Sequence, residues 1–458
     1  MLASLARFVA RDIALAWILN RAGLDLSRYT LELHASAALA PPDLERFQTA
    51  RLRRLLAVAE GSPFYRERLA RARLSSASLG SVSDLKRLAP LTKEELRELG
   101  PGPLLTRRIA RPFRSQTAGS SGTPVTVLRD LPGRAAVLAR RWACQAWHGL
   151  SPGDREARFW GRSPSFWKDS LLQLAANRRL FAFLETEPEA QAREAAALRR
   201  FQPDFAYGYS SLVLRAADCF SALGTPPRLR AIICTAESIL LAQERFISEV
   251  FDCPVLVEYG CSEVDIIGYT CPQHRLHVVA PELILEIDSD QEHAAEGEIL
   301  VTDLSNHLMP LLRYRLGDCV RLTPEPCDCG WRTPIIAELQ GREKERILVL
   351  PSGRRAHAVL FAHAFETLCN EGLPIRRFQV VQSRVDELQV FVEGDSQLLS
   401  APALRLRIER AVQHRLPEPV QIQLNIGPVP TTPGRKLAYF VPLAQQTNGT
   451  TNDGGAQH

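Results

Sequence analysis

A loop of small hydroxyl residues and two glycines is the first candidate for chemistry. Residues 115–124 read Ser-Gln-Thr-Ala-Gly-Ser-Ser-Gly-Thr-Pro. Glycine lets a backbone turn tightly and approach an anion closely, and exposed amide and hydroxyl groups can then hydrogen-bond phosphate oxygens. The loop is not a Walker motif, because no Gly-Lys-Ser/Thr follows the glycines. It is therefore a candidate phosphate site, and a flexible surface loop is the alternative.

Two further segments place polar residues beside predicted strand ends. In Val257–Glu263, a β-rich run ends in Tyr-Gly and a carboxylate follows three residues later. Ligands of α/β sheets bind at the carboxyl ends of strands, and a carboxylate there can hold Mg²⁺ beside nucleotide phosphates. In Leu312–Asp318, two arginines share one strand face, Gly317 lets the chain turn, and Asp318 can accept hydrogen bonds from ribose hydroxyls. A strand edge ending in a salt-bridged turn is the structural alternative.

Lysine is scarce in this chain. Only five of the 56 basic residues are lysines, so a retained lysine suggests a need for a compact point charge that arginine cannot replace. Lys436 lies in the Gly-containing segment Pro433–Leu437 near the end of the chain and could reach an active site as a mobile charge. An ordinary solvated lysine is the alternative.

Three cysteines and one histidine form a pattern typical of a metal site. Cys-Pro-Gln-His-Arg-Leu-His begins at Cys271, and Cys-Asp-Cys-Gly follows about 50 residues later at Cys327. Two thiolates one residue apart do not bridge each other easily, but both can face one metal, and Cys₃His is a standard tetrahedral zinc set. Unrelated surface cysteines are the alternative, and His274 is the alternative histidine. The predicted ligands are Cys271, His277, Cys327 and Cys329. Six further cysteines lie among apolar neighbours and are expected in cores: Cys144, Cys219, Cys234, Cys253, Cys319 and Cys369.

The elements that must position these residues follow from hydrophobic periodicity. Residues 1–100 read as helical, with apolar residues at three- and four-residue spacing. Residues 110–340 alternate β-rich runs with helical stretches, which predicts an α/β fold with largely parallel pairing. The predicted elements are strands 231–235, 254–258, 283–287 and 298–301 and a helix over Leu240–Phe251.

The pattern changes after Gly341. Runs at Phe378–Gln382 and Leu388–Val392 predict a hairpin, Ala403–Leu416 a helix and Gln421–Ile426 a final strand. These elements make a compact α+β unit of about 100 residues. The last residues, 445–458, are rich in Gly, Asn, Thr and Gln and are expected to be disordered.

Bulk composition excludes several classes of protein. With 458 residues, 45% hydrophobic and 23% charged, the chain is not a disordered, collagen-like or coiled-coil protein. No apolar run of about 18 residues occurs, so no membrane span is expected; Ile13–Leu19 reads as an amphipathic helix, with a membrane-surface helix as the alternative. A net charge of +5 is too mild to imply nucleic acid. Sparse cysteines and the absence of an export signal favour the cytosol, and a homodimer is possible.

The order and spacing of the motifs resemble the adenylate-forming superfamily, in its phenylacetate–coenzyme A ligase branch with capsule-biosynthesis relatives. The resemblance covers about residues 50 to 440. Two of the five lysines, 344 and 436, fall on motif positions of this branch. Weaker segments that fit the same branch are Ser62–Tyr65, Pro90–Glu94, Cys234–Glu237, Gly297–Ile299 and Asn306–Asp318.

The resemblance implies specific roles for individual residues. It implies that Glu263 is linked to Mg²⁺ and that Lys436 contacts the carboxylate and α-phosphate. It implies a large adenylation domain over 1–340, with a zinc subregion over 271–329, and a small mobile lid over 341–444 that turns about Lys344. The implied nucleotide-binding residues are Thr117, Gly119, Ser120, Ser121, Gly122 and Thr123 in the phosphate loop, Glu237 near the nucleotide, Tyr259 and Gly260 in the adenine-flanking turn, Asp318 at the ribose, and Arg342 after the core domain.

The implied activity is ATP-dependent adenylation of an aryl or related carboxylic acid, followed by transfer to coenzyme A. Transfer to an amine, a carrier protein or a cofactor hydroxyl is the alternative, because the adenylation motifs do not separate the acceptors. A degenerate, non-enzymatic scaffold is a third hypothesis, since Ala118 and Lys344-Glu345 depart from the usual pattern. Tyr207–Ser210 and Cys234–Ser238 are the candidate lining of the acid pocket.

Overall fold

The computed structural model describes residues 16–116, 125–160, 177–181, 183, 188–237, 239–289, 294–342, 347–430 and 439–443. It divides into two compact units, Met1–Ala236 with Phe251–Leu339 and Glu237–Val250 with Gln340–His458. Strands alternate with helices in the first unit, and the second unit is a small α+β structure, so the predicted fold class is confirmed. The grouping of Glu237–Val250 with the second unit was not predicted from the sequence.

The N-terminal part of the first unit is helical, as the apolar spacing predicted. Ser62 accepts a hydrogen bond from the amide of Tyr65 and so caps one helix, while Thr92 and Glu95 form a capping box on another. Buried leucines at 52, 55 and 56 face a core shared with the sheet. The helices are Ala16–Arg21, Leu26–Ala37, Pro41–Ala59, Pro63–Arg71 and Lys93–Leu99, with 3₁₀ turns Val82–Arg87 and Gly102–Leu104.

The described strands of the first unit are β1 Phe113–Gln116, β2 Thr126–Arg129, β3 Glu156–Phe159, β4 Arg178–Phe181, β5 Phe205–Tyr209, β6 Ile232–Thr235, β7 Val255–Cys261, β8 Asp265–Thr270, β9 Leu276–Val278, β10 Leu283–Ile287, β11 Glu296–Asp303, β12 Tyr314–Thr323 and β13 Ile335–Arg342. Strands β1 and β2 form an antiparallel pair. The others form one sheet in the order β10-β11-β12-β13-β9-β8-β7-β6-β5-β3-β4.

One half of this sheet is parallel and the other is antiparallel. Strands β3 to β7 pair in parallel, and β7 to β9 and β10 to β12 pair antiparallel. Every residue of β6 is buried, as expected for a parallel strand covered on both faces. The covering helices described in this unit are Leu131–Ala146, Pro188–Phe201 and Ser210–Leu223. No helix in the described ranges is both long enough and apolar enough to cross a membrane.

Strand β12 corrects the prediction that the chain turns at Gly317. The strand continues to Thr323, and its register against β11 shifts between Glu298 and Leu300, so extra residues bulge from β12. Gly317 has a φ of +88°, which favours glycine, and it lies in this bulge. Bulges re-aim side chains and are common beside active sites. The bulge therefore sets the direction of Asp318.

The second unit has its own core. Its sheet has the order β18 (Gln421–Ile426), β17 (Glu387–Gly394), β16 (Ile375–Arg384) and β19 (Phe440–Val441). Phe365 stacks on Phe378 at 3.9 Å between ring centroids. The predicted hairpin is confirmed as β16 against β17, but the prediction that Gln421–Ile426 is the final strand is wrong, because Phe440–Val441 adds a parallel strand beside β16. The elements are helix Leu241–Phe251, β14 Ile347–Val349, β15 Arg355–His357, helix Val359–Asn370, β16 Ile375–Arg384, β17 Glu387–Gly394, helices Ser396–Leu399 and Pro402–Arg415, β18 Gln421–Ile426 and β19 Phe440–Val441.

Candidate functional site

The base of the hydroxyl–glycine loop lies against Glu263. Strands β1 and β2 pair with Gln116 opposite Thr126, which brings the two ends of the loop together. The Arg129 guanidinium donates to Ser115 Oγ at 3.4 Å and to the Glu263 carbonyl at 2.6 Å. The base of the loop is therefore anchored on the segment Val257–Glu263, although the loop itself lies outside the described residues.

Glu263 is a buried carboxylate with two polar partners. Its side chain is 2% exposed, accepts a 2.9 Å hydrogen bond from the Tyr314 hydroxyl, and lies 3.4 Å from the ammonium of Lys93. Burying a carboxyl group without polar partners is costly, so the Tyr314 hydroxyl and the Lys93 ammonium offset the cost of placing Glu263 here. The arrangement joins the segments around residues 93, 263 and 314 in one place.

Lys93 is a site residue to which sequence reasoning assigned no role. It is held by Leu91, whose amide donates to the Arg313 carbonyl at 3.0 Å and whose carbonyl accepts from the Arg315 amide at 2.9 Å. This short parallel bridge ends where the capped helix Lys93–Leu99 begins. The available signals were the scarcity of lysine and the Thr-x-x-Glu cap, but neither indicates which carboxylate the lysine meets.

The Tyr-Gly turn contacts the segment Leu312–Asp318 through Asp318, the residue predicted to bind the ribose. The Tyr259 hydroxyl donates a 2.8 Å hydrogen bond to Asp318 Oδ2. A Cβ atom at Gly260 would lie 2.1 Å from the carbonyl oxygen of Asp265, so only glycine allows this close approach of β7 and β8. Tyr259, Glu263 and Asp318, predicted from separate motifs, thus belong to one part of the first unit.

The remaining predicted nucleotide residues are placed less fully. Glu237 lies two residues beyond β6 and is half-buried, and Arg342 is the last residue of β13. The predicted residues outside the described ranges are Thr117, Gly119, Ser120, Ser121, Gly122, Thr123, Lys344 and Lys436.

The two arginines of the segment Leu312–Asp318 form ion pairs. Arg313 Nε lies 3.1 Å from both carboxylate oxygens of Glu286, and Arg315 pairs with Asp288 and Glu298. Arg313 has a φ of 49° and precedes the first residue of β12, so the predicted shared strand face does not include it. The arginines position the start of β12, as in the salt-bridged alternative.

The four predicted metal ligands converge. One donor atom from each of Cys271, His277, Cys327 and Cys329 lies within 4.8 Å of all the others. Cys271 Sγ is 3.7 Å from Cys327 Sγ, and Cys329 Sγ is 3.4 Å from His277 Nε2. His274, the alternative ligand, is exposed and lies outside the group.

The donor set and its spacing fit a tetrahedral zinc ion. Bonds of about 2.3 Å to sulfur and about 2.0–2.1 Å to nitrogen place two sulfurs about 3.8 Å apart and a sulfur and a nitrogen about 3.5 Å apart. The distances above agree with both values. His277 Nδ1 lies 3.1 Å from Thr333 Oγ1, so its Nε2 is left to face the thiols. Burial lowers the pKa of His277 to about 4, which favours the neutral imidazole that a metal requires.

Comparison with known proteins supports the resemblance predicted from the motifs. No protein-family model matches the chain. The chain is 22% identical to Protein CapK of Staphylococcus aureus over 84% of its own length and 86% of that protein. It is 27% identical to phenylacetate-coenzyme A ligase of Thermus thermophilus over 87% of its length and 96% of that protein, and 25% identical to the Escherichia coli enzyme of the same name over 87% and 94%.

Solved structures share the fold. A crystal structure of 2-hydroxyisobutyryl-CoA ligase in the postadenylation state has a TM-score of 0.72 at 18% identity, covering 90% of this chain and 94% of that one. An open conformation of the same ligase, in complex with 2-HIB-AMP and CoA, has a TM-score of 0.59 at 19% identity, over 88% and 92%. At this level of identity, the likeness establishes the fold.

Proposed function

We propose that the protein is an AMP-forming acid–thiol ligase that adenylates an aryl or related carboxylic acid and transfers it to coenzyme A. The observation that carries the proposal is the convergence of Tyr259, Glu263 and Asp318 with the anchored base of the hydroxyl–glycine loop. Similarity to phenylacetate-coenzyme A ligases over 87% of the chain supports it independently.

The described residues suit the first half of such a reaction. Asp318, oriented by the Tyr259 hydroxyl, would accept hydrogen bonds from the ribose hydroxyls. A carboxylate oxygen of the acid would attack the α-phosphorus of ATP, and pyrophosphate would leave with the electrons of the broken P–O bond. The Lys93 ammonium lies 3.4 Å from Glu263, whose carbonyl accepts the Arg129 hydrogen bond that anchors strand β2. The thiol of coenzyme A would then displace AMP from the acyl carbon.

Glu263 is the proposed Mg²⁺ ligand. Carboxylate oxygen is the donor type that Mg²⁺ prefers, and Glu263 contacts both the loop base and the strand that leads to Asp318. When bound, Mg²⁺ would neutralise charge on the phosphate oxygens. Because Lys93 contacts the same carboxylate, the two cations would have to share it or exchange on it. The roles proposed for the phosphate loop, Glu237, Arg342, the hinge Lys344 and Lys436 rest on the motif resemblance.

Acid-dependent pyrophosphate release tests the proposal. Asp318→Ala and Lys436→Ala should each lower its rate by about 10²–10³-fold, the usual loss when one transition-state stabiliser is removed. Asp386→Ala, in the exposed turn of the second unit's hairpin, is the matched control and should leave the rate unchanged. Omitting coenzyme A should abolish thioester formation but leave acyl-adenylate. Product formation with an amine or a carrier protein instead would favour the alternative acceptors, and no turnover with any acid would favour a binding scaffold.

We also propose that Cys271, His277, Cys327 and Cys329 hold one structural zinc ion. A closed set of four protein ligands leaves no open position, so the ion would stabilise the fold without taking part in the reaction. Protein washed with a weak chelator should retain about one equivalent of zinc, and Cys327→Ser should lose it. Cys369→Ser, whose sulfur lies outside the group, is the control and should keep it. Metal-free wild-type protein would contradict the proposal.

A cytosolic location, a possible homodimer and the absence of a nucleic-acid partner are further proposals from the sequence. No disulfide joins the ten cysteines, all of which lie in the described ranges.

A further inference from the structure

A polar and aromatic face lies at the carboxyl ends of the parallel strands. Arg158 of β3 is in register with Tyr207 of β5, and Tyr209 at the end of β5 is in register with Thr235, which is in register with Glu258 of β7. Glu258 directly precedes the Tyr259–Gly260 turn. Adenylation joins the acid to the nucleotide, so the acid must lie within one small-molecule length of that turn. This face therefore meets the positional requirement for an acid pocket.

The face is held by a chain of buried contacts. The Tyr207 hydroxyl donates to Glu258 Oε1 at 2.5 Å, and the Arg158 guanidinium carbon lies 4.4 Å from the centroid of the Tyr207 ring. Burial raises the pKa of Glu258, against the opposing effect of Arg141, whose Nε lies 3.8 Å from Glu258 Oε2. These contacts make the floor of the face polar and rigid, which a pocket for a plain hydrocarbon group would not need.

Two half-buried aromatic rings lie on the same face as Arg158 and stack on each other. Trp160 and Tyr209 stack with their ring centroids 4.2 Å apart, and the Arg158 guanidinium lies 5.7 Å from the Trp160 ring. Stacked rings offer a flat wall that suits a planar acid. The face therefore combines an aromatic wall with a cation at one end.

The terminal nitrogens of Arg158 are available as hydrogen-bond donors. Its Nε pairs with Glu156 Oε1 at 2.5 Å, and the side chain is 17% exposed. Within the described ranges, no hydrogen-bond acceptor meets its two terminal nitrogens. A guanidinium fixed on one side and open on the other can donate to an acceptor atom on a ligand.

We propose that the acid substrate carries a planar aromatic ring with a hydrogen-bond-accepting substituent that Arg158 recognises, which makes Arg158 a specificity-determining residue. This inference rests on the proposed adenylation function. The structure provides a matched control in Arg178 of the neighbouring strand β4. Arg178 pairs with the same Glu156 at 2.8 Å but, within the described ranges, does not contact Tyr207, Trp160 or Tyr209.

The experiment compares 4-hydroxyphenylacetate with 4-methylphenylacetate, which have similar size but differ in the acceptor, by acid-dependent pyrophosphate release. The wild-type kcat/KM should favour the hydroxyl acid by about 10-fold or more, as expected for a hydrogen bond to a charged donor. Arg158→Gln should bring the ratio close to one by lowering activity on the hydroxyl acid, while Arg178→Gln should leave the ratio unchanged. Arg158→Lys should retain part of the preference.

Three outcomes are distinguishable. A hydroxyl preference that depends on Arg158 supports the inference. A wild-type ratio near or below one, or a preference that survives in Arg158→Gln, overturns it and leaves the adenylation function standing. Absence of pyrophosphate release with every acid overturns the adenylation function as well. If Arg158→Gln does not fold, which its thermal melting curve would show, Arg158→Lys decides: a reduced hydroxyl preference in that variant supports the inference, and an unchanged preference overturns it.

Discussion

The indole Nε1–H of Trp331 donates a 2.9 Å hydrogen bond to Nδ1 of His34, 297 residues earlier in the chain. Burial lowers the pKa of His34, which favours the neutral ring, and its Nε2 then donates to the Ala143 carbonyl at 3.1 Å. Trp331 also stacks on Trp147 at 4.1 Å. The amide of Arg332 donates to the Ala37 carbonyl at 2.7 Å. The turn that carries Cys327 and Cys329 is thus fastened to the helix Leu26–Ala37.

Trp331→Phe should lower the free energy of unfolding by about 1 kcal/mol, because it removes one buried hydrogen bond and keeps most of the aromatic stack. Urea unfolding monitored by circular dichroism measures the loss. Trp147→Phe is the control, since it also removes an indole from the stack but leaves the bond to His34, and it should cost less. Equal losses in the two variants would show that the hydrogen bond contributes nothing specific.

Metal removal should loosen the same helix. If zinc holds the Cys327–Cys329 turn, a strong chelator should speed tryptic cleavage at Arg21, which precedes the helix Leu26–Ala37, and at Arg28, which lies in that helix. Cleavage rates with and without chelator, read by mass spectrometry, provide the measurement. The Cys369→Ser protein should behave like the wild type. Cleavage that chelator does not accelerate would separate the metal from the N-terminal helix.

Site residues that lie in short, recognisable motifs were predicted from the sequence, whereas contacts between segments far apart in the chain were not. The four metal ligands follow from short spacings and a standard donor set, and the structure brings them together. The contact of Lys93 with Glu263 was missed, because pairing across 170 residues depends on how Leu91 docks on β12. The bulge at Gly317 was predicted as a turn, because glycine with positive φ is compatible with both.

Arg140→Met should destabilise the first unit by about 3–5 kcal/mol, since it removes one partner of a buried ion-pair group. Arg140 is fully buried, donates to the Val264 and Ile266 carbonyls, and lies 3.4 Å from Asp303 and 3.8 Å from Glu282. Urea unfolding gives the change. The exposed Arg46→Met serves as the control and should cost under about 0.5 kcal/mol. A loss for Arg140→Met no larger than that would contradict the role assigned to this cluster.

The same cluster makes stability fall in acid. Burial by itself would raise the pKa of Asp303, but the Arg140 and Arg129 guanidinium groups outweigh it and lower that pKa. A carboxyl with a lowered folded-state pKa contributes stability that is present above its unfolded pKa of about 4 and is lost as the pH falls through the folded value. The free energy of unfolding should therefore drop below about pH 4. The free energy of unfolding should fall less steeply with decreasing pH in Asp303→Asn than in the wild type. Urea unfolding at a series of pH values from 5 to 3 measures both slopes, and identical slopes would contradict the prediction.

Lys93→Ala should lower kcat/KM for ATP by about 100-fold, because it removes a positive charge beside Glu263, the carboxylate proposed to hold Mg²⁺. Lys93→Arg should restore only part of the activity, since a planar guanidinium does not replace a compact ammonium group. Lys86→Ala is the matched control, because Lys86 is an exposed lysine seven residues earlier and has no described contact with Glu263. Pyrophosphate release at varied ATP and Mg²⁺ concentrations provides the measurement. If Lys93→Ala matched Lys86→Ala within about twofold, Lys93 would only anchor Glu263 in the fold.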